Sequence, residues 1–145
     1  MQTMTEMVQE KLDSLQQELF DSGVLDDQFS QLQMLEDESN PDFVAEMVQL
    51  YFEDTSSKLE KLAGLVSSPT NLAELDSTFH QLKGSSTSIG ALAMANACAN
   101  CREECQQQNP VSIQTAFNQI NIKFKELKEK LGELMQLQDQ IRASS

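Results

Sequence analysis

Leu72-Ala73-Glu74-Leu75-Asp76-Ser77-Thr78-Phe79-His80-Gln81-Leu82-Lys83-Gly84-Ser85-Ser86-Thr87-Ser88-Ile89 is the stretch from which the fold reads outward. Leu72, Leu75, Phe79, Leu82 and Ile89 fall at helical spacing, and Ser86 fills the one missing slot of the apolar stripe. At about 100° per residue that stripe centres near Phe79 and Leu75. His80, the single histidine of the chain, lies roughly 130° round the wheel from that centre and so points to solvent. Lys83 and Gly84 sit one turn beyond it on the same face, because i+3 and i+4 positions stack. Asp76 and Thr87 complete the polar side.

An isolated histidine on a helix is ordinarily a solvated or structural residue. Two neighbours argue for chemistry. Gly84 stands inside a helical pattern, where glycine costs about 1 kcal/mol relative to alanine, and such a cost calls for a reason of packing or access. Removing a side chain one turn from an exposed imidazole clears space for a bulky group on the ring. Lys83 places a mobile cation with three donors where that group would sit. A phosphoryl group needs both the space and the charge compensation.

His80-Gln81-Leu82-Lys83-Gly84-Ser85-Ser86, followed by Ser88-Ile89-Gly90-Ala91, resembles the signature of the plant-type histidine-containing phosphotransfer (HPt) proteins. Leu25-Asp26-Asp27-Gln28-Phe29 and Asp37-Glu38-Ser39-Asn40-Pro41-Asp42-Phe43-Val44 resemble the same family, so the likeness runs from near residue 20 into the C-terminal helix. The resemblance implies a phosphocarrier, without ATP-dependent kinase activity of its own, relaying a phosphoryl group between aspartates in a multistep phosphorelay. His80 would be the phosphoacceptor, most naturally at Nε2, with Lys83 and Gly84 supporting the phosphoryl group. Partners would be receiver domains of hybrid sensor histidine kinases and response regulators. The resemblance further implies cytokinin-type signalling between cytoplasm and nucleus, and Mg²⁺ held by the receiver, with no cofactor in this chain. Some relatives lack the histidine and act as inhibitors; His80 places this chain among the active ones. After Gly90-Ala91 the family pattern continues roughly Gln-Arg-Val-Lys, whereas this chain reads Leu92-Ala93-Met94-Ala95. Two positive charges are missing there, which bears on partner preference.

The remaining chain supports a helical bundle. Its 145 residues suit one domain. A net charge of −13 argues against nucleic acid or an anionic membrane as a direct partner. No apolar run approaches the roughly 20 residues of a membrane span, and the first residues lack the basic and apolar regions of a signal peptide. A helix is expected over residues 4–20, carrying Met4, Val8, Leu12, Leu15 and Leu19, with Gly23 ending it. Asp26 can cap a second through residue 36, striped by Leu25, Phe29, Leu32 and Leu35.

Asn40-Pro41 reads as a start signal for a third helix to about residue 66, with an apolar face including Phe43, Val44, Met47, Leu50, Tyr51 and Leu62. A turn follows at residues 67–70. Helix four spans about 70–89, Gly90 breaks it, helix five spans about 92–108, and Asn109-Pro110 opens the last helix. Ile113, Phe117, Ile120, Phe124, Leu127, Leu131 and Leu134 alternate at four-three spacing, with Ile141 one heptad on. The expected fold is all-α: an antiparallel four-helix bundle over residues 40–143 with two additional N-terminal helices within residues 1–36, together one domain of 1–145. The seam is better used inside the bundle than between copies, so a monomer is expected.

Cys98, Cys101 and Cys105 lie on one face of helix five at C-x2-C-x3-C spacing. A zinc site would need a fourth ligand such as His80. With Met94 they recur at four-three-four, which is also a buried stripe of small apolar side chains. Ser85, Ser86 and Thr87 could offer a hydroxyl nucleophile, but nothing supplies a third member to orient the histidine. If helices four and five fold back at Gly90, Arg102 comes beside His80, where it either approaches the phosphoryl group or remains a solvated arginine. The competing function is a helical adaptor without covalent chemistry, for which His80→Gln would be silent.

Overall fold

The computed structural model describes residues 1–67 and 71–143. They form six helices: α1 (Met4–Asp21), α2 (Asp27–Met34), α3 (Phe43–Ser67), α4 (Leu72–Ile89), α5 (Leu92–Gln107) and α6 (Pro110–Ala143). Among the described residues the only β-type pairing is an isolated bridge between Asp37 and Asn40. The expected turn at 67–70 and the first residue of the expected fourth helix lie, Ser67 apart, outside the described residues.

The apolar seam of α6 explains the assembly. Ile113, Phe117, Ile120, Phe124, Leu127, Leu131 and Leu134 are all buried in one core cluster. Phe117 meets Phe79 of α4 at 6.4 Å between ring centroids, and Phe124 meets Tyr51 and Phe52 of α3. Helices α3, α4, α5 and α6 each touch the next, and α6 closes back on α3. Lys61 late in α3 pairs with Glu74 early in α4, and Arg142 at the end of α6 pairs with Asp42 just before α3. Those pairings follow from antiparallel neighbours. α1 lies along α6 through Leu12, Leu15 and Leu19, and α2 sits across α3 and α4.

Local signals place most of the ends. Thr3, Asp26 and Asn71 accept from backbone N–H groups of Glu6, Gln28 and Glu74, capping α1, α2 and α4. Asn109 accepts from the N–H groups of Val111 and Ser112, with Pro110 as first residue of α6. Gly90 ends α4 in the left-handed region at φ 80°. A Cβ there would overlap the backbone of Phe29, and its carbonyl accepts from the N–H of Asp26 at 3.0 Å. Glycine therefore lets the α4–α5 corner and the start of α2 touch.

Three expectations are corrected. The third helix starts at Phe43, not at Pro41: Asp37 accepts from Ser39 and Asn40 and folds residues 37–42 into turns. Glu36 then reaches over to accept from the Val44 N–H at 3.0 Å, so the capping carboxylate comes from before the turn. The second helix ends at Met34, and Leu35, read as part of its stripe, is exposed. Leu50 of α3, read as part of its apolar face, is likewise exposed, on the wall of an open groove that it shares with Leu32 of α2.

Candidate functional site

His80 stands at the middle of α4 with an exposed ring, while its neighbours Phe79 and Leu82 are fully buried. Burying one side of α4 fixes the other toward solvent, as the wheel requires. The helix cannot rotate to hide the histidine without pulling Leu75, Phe79 and Leu82 from the core.

Gly84, one turn on, has helical geometry, and a Cβ built there would meet nothing within 4 Å. No contact among the described residues requires glycine here, as none does at Gly64 of α3 or Gly132 of α6; what sets Gly84 apart is its place one turn from the exposed imidazole. Lys83 is half-buried, and among the described residues no acidic side chain pairs with its ammonium. The hydroxyls nearby are engaged in the helix. Ser85, Thr87 and Ser88 donate to the carbonyls of Leu82, Lys83 and Gly84. Ser86 is fully buried and hydrogen-bonded to the Tyr51 hydroxyl at 2.7 Å. None of them stands as a nucleophile.

Folding back at Gly90 brings Arg102 of α5 against α4. Its Nη1 lies 2.9 Å from His80 Nδ1, and its Nε lies 3.1 Å from an Asp76 carboxylate oxygen. A second, longer contact joins Nη2 to the other Asp76 oxygen at 3.4 Å. The expected fold-back puts Arg102 beside the histidine, with its contact on the ring itself. The role of Asp76 was not read from the sequence, although it lies four residues before His80 on the same face.

The cysteines take the core role. Cys98 and Cys101 are fully buried, Cys105 nearly so, and all three are free thiols. Burial raises the thiol of Cys98 to about 12 and that of Cys105 to about 11. Among the described residues no group of three or more His, Cys, Asp and Glu is arranged to hold a metal ion. None of their helices is long and apolar enough to cross a membrane.

Beside the histidine ridge lies an apolar groove of about 450 Å³ between α2, α3 and α4, lined by Leu32, Met47, Leu50, Tyr51, Ser88 and Ile89 among others. Gly84 and Ser88 continue the His80 ridge at i+4 and i+8 to its rim. Leu50 on the groove wall is itself exposed, as are Met34 and Leu35 at the C-terminal end of α2, two and three residues beyond the groove's Leu32.

Fold and site together define a helical bundle that presents one imidazole, and comparison with known proteins agrees. The family model described as the Hpt domain matches residues 46–143. Histidine-containing phosphotransfer protein 1 of Arabidopsis thaliana is 42% identical over 137 residues, covering 94% of this chain and 89% of the relative. Protein 5 of the same plant is 42% identical over 125 residues, covering 85% and 80%. The crystal structure of a histidine-containing phosphotransfer protein from Medicago truncatula superposes with a TM-score of 0.90 at 35% identity, covering 95% of each chain. That of a maize protein gives 0.86 at 38%, covering 92% and 99%. The chain belongs to the histidine-containing phosphotransfer family, the phosphocarriers of phosphorelays.

Proposed function

We propose that Nε2 of His80 accepts a phosphoryl group from the aspartyl phosphate of one receiver domain and yields it to the aspartate of another. The observation that carries this reading is an exposed, mid-helix imidazole beside an ammonium that no acidic side chain among the described residues pairs with, and a glycine whose absent side chain would meet only open space. In the loading step a bond forms between Nε2 and phosphorus as the phosphorus–oxygen bond to the carboxylate breaks. The carboxylate departs with the electron pair, and one ring proton passes to solvent. Such transfer depends on in-line positioning and charge neutralisation. Lys83 supplies a cation to the phosphoryl oxygens, and Gly84 supplies clearance for the receiver to approach.

The receiver brings the aspartate and its Mg²⁺; this chain adds no cofactor and no use of ATP. The groove and the exposed Met34, Leu35 and Leu50 suit a partner with an apolar docking face. The receivers belong to hybrid sensor kinases and response regulators, serving cytokinin-type signalling in cytoplasm and nucleus, with the carrier a monomer. Replacement of two family basic positions by Leu92-Ala93-Met94-Ala95 shifts which receivers it prefers.

Incubation with a receiver carrying labelled aspartyl phosphate tests the acceptor role. Acid-labile, alkali-stable label on the wild type and none on a folded His80→Gln variant is expected. Equal labelling of the two would remove His80 from the reaction, and no labelling of either from several receivers would favour the adaptor.

A further inference from the structure

Arg102 contacts the side of the histidine ring opposite to the proposed acceptor atom. A guanidinium has only donors and stays charged, so the Nδ1 it meets at 2.9 Å must be the acceptor. In the neutral ring the single proton then sits on Nε2, the tautomer in which Nε2 has no free lone pair. The Asp76 carboxylate fixes the guanidinium from the other side through Nε at 3.1 Å. Both partners of this ion pair are about one-third exposed, 29% and 35%, and exposed pairs contribute little to stability. Its consequence is at the ring.

We propose that Asp76 and Arg102 form a tautomer lock that holds His80 unreactive between transfers. This rests on His80 as phosphoacceptor. In the resting protein Arg102 keeps the proton on Nε2. An arriving phosphoryl group, with its double negative charge, draws the guanidinium off Nδ1. Solvent then removes the Nε2 proton and supplies one to Nδ1, which exposes the Nε2 lone pair for attack on phosphorus. As the N–P bond forms and the carboxylate leaves, the Nδ1 proton returns to solvent and Arg102 settles back on the bare nitrogen. The same contact then guards the loaded state. Protonation of Nδ1 converts the ring into a good leaving group, and a donor already bound there opposes it. Arg102 is thus a positioning residue for both halves of the relay, and Asp76 positions Arg102.

A single histidine makes the lock directly readable. Full-length protein labelled with ¹⁵N in its histidine ring, at a pH where the ring is neutral, should show pyrrole-type Nε2 and pyridine-type Nδ1. Arg102→Ala should introduce a measurable Nδ1–H population, Asp76→Asn a smaller one, and Arg102→Lys should restore the wild-type pattern. The phosphorylated Arg102→Ala protein, freed of receiver, should lose its label to water several-fold faster than wild type. An Nδ1–H ring in wild type, or an Arg102→Ala spectrum identical to wild type, would overturn the lock. Slower loading of Arg102→Ala with unchanged tautomers would also overturn it, leaving Arg102 as a phosphate-side cation only. No label on the wild type would instead overturn the phosphoacceptor reading, independently of the ring spectrum.

Discussion

At Gly84 two demands on one residue pull apart. A helix interior prefers alanine by about 1 kcal/mol, and the open space around the missing Cβ means alanine would fit without displacing anything. Gly84→Ala should therefore raise the denaturation midpoint, a gain of about 1 kcal/mol, while a bulky Gly84→Gln slows loading by crowding the ring. A stabilised but transfer-impaired protein would show that the glycine serves an incoming group; unimpaired transfer by Gly84→Gln would remove Gly84 from the site. Lys83→Ala should slow loading without abolishing it, since in the proposed reaction the cation only assists the attack assigned to His80. Tyr51 marks the opposite extreme, a residue serving the fold behind the site. Its hydroxyl is bonded to fully buried Ser86, so Tyr51→Phe strands a hydroxyl and should cost about 1–2 kcal/mol in chemical denaturation, leaving the His80 ring spectrum in place.

Between elements, the corner at Gly90 matters most. Gly90→Ala would impose a left-handed conformation costing roughly 1–2 kcal/mol, and its Cβ would also overlap the Phe29 backbone. The expected outcome is a larger destabilisation than at any solvent-facing helix position, with α2 displaced and docking to receivers weakened. Urea denaturation reads the first effect and titration with a receiver the second. Along α5, the buried stripe predicts thiols that are inert in the folded state. A thiol-reactive dye at mildly alkaline pH should label Cys98, Cys101 and Cys105 only as the protein unfolds. Prompt labelling of the native protein would contradict their placement in the core.

For the whole molecule, the same burial sets an alkaline limit. Cys98, Cys105 and Tyr51 carry folded-state values raised to about 12, 11 and 12 from 9.0, 9.0 and 10.0, chiefly by burial. The unfolded chain therefore loses these protons first. Their contribution is fully present below about pH 9 and is lost as pH rises from there toward pH 12, at up to about 1.4 kcal/mol per pH unit for each group. The denaturant midpoint should fall steadily over that range; a flat profile would mean the groups are hydrated. Much of the architecture was legible beforehand because it rests on periodicity. The α6 seam, the stripe of α4 and the break at Gly90 each follow from residue spacing alone.

What the sequence hid was contact between distant segments. Glu36 capping α3 across a turn, Tyr51 bonding Ser86, and Asp76 reaching Arg102 depend on pairings that no local window contains. Exposed Leu35 and Leu50 misled for the same reason, since an apolar residue at a helical period reads as core until the segments packed against it are known. His80, Lys83 and Gly84 were readable because one turn of one helix holds them all. Arg102 was placed near the ring by folding α4 and α5 about Gly90, but its target atom emerged only from the three-dimensional arrangement.

The most direct test of a carrier is a chase. Protein loaded from one receiver, separated from it and mixed with a second, unphosphorylated receiver should hand over its label, leaving unmodified His80 and a receiver aspartyl phosphate. Label that stays on the protein, or is released only as free phosphate at the rate of hydrolysis, would contradict a relay through His80.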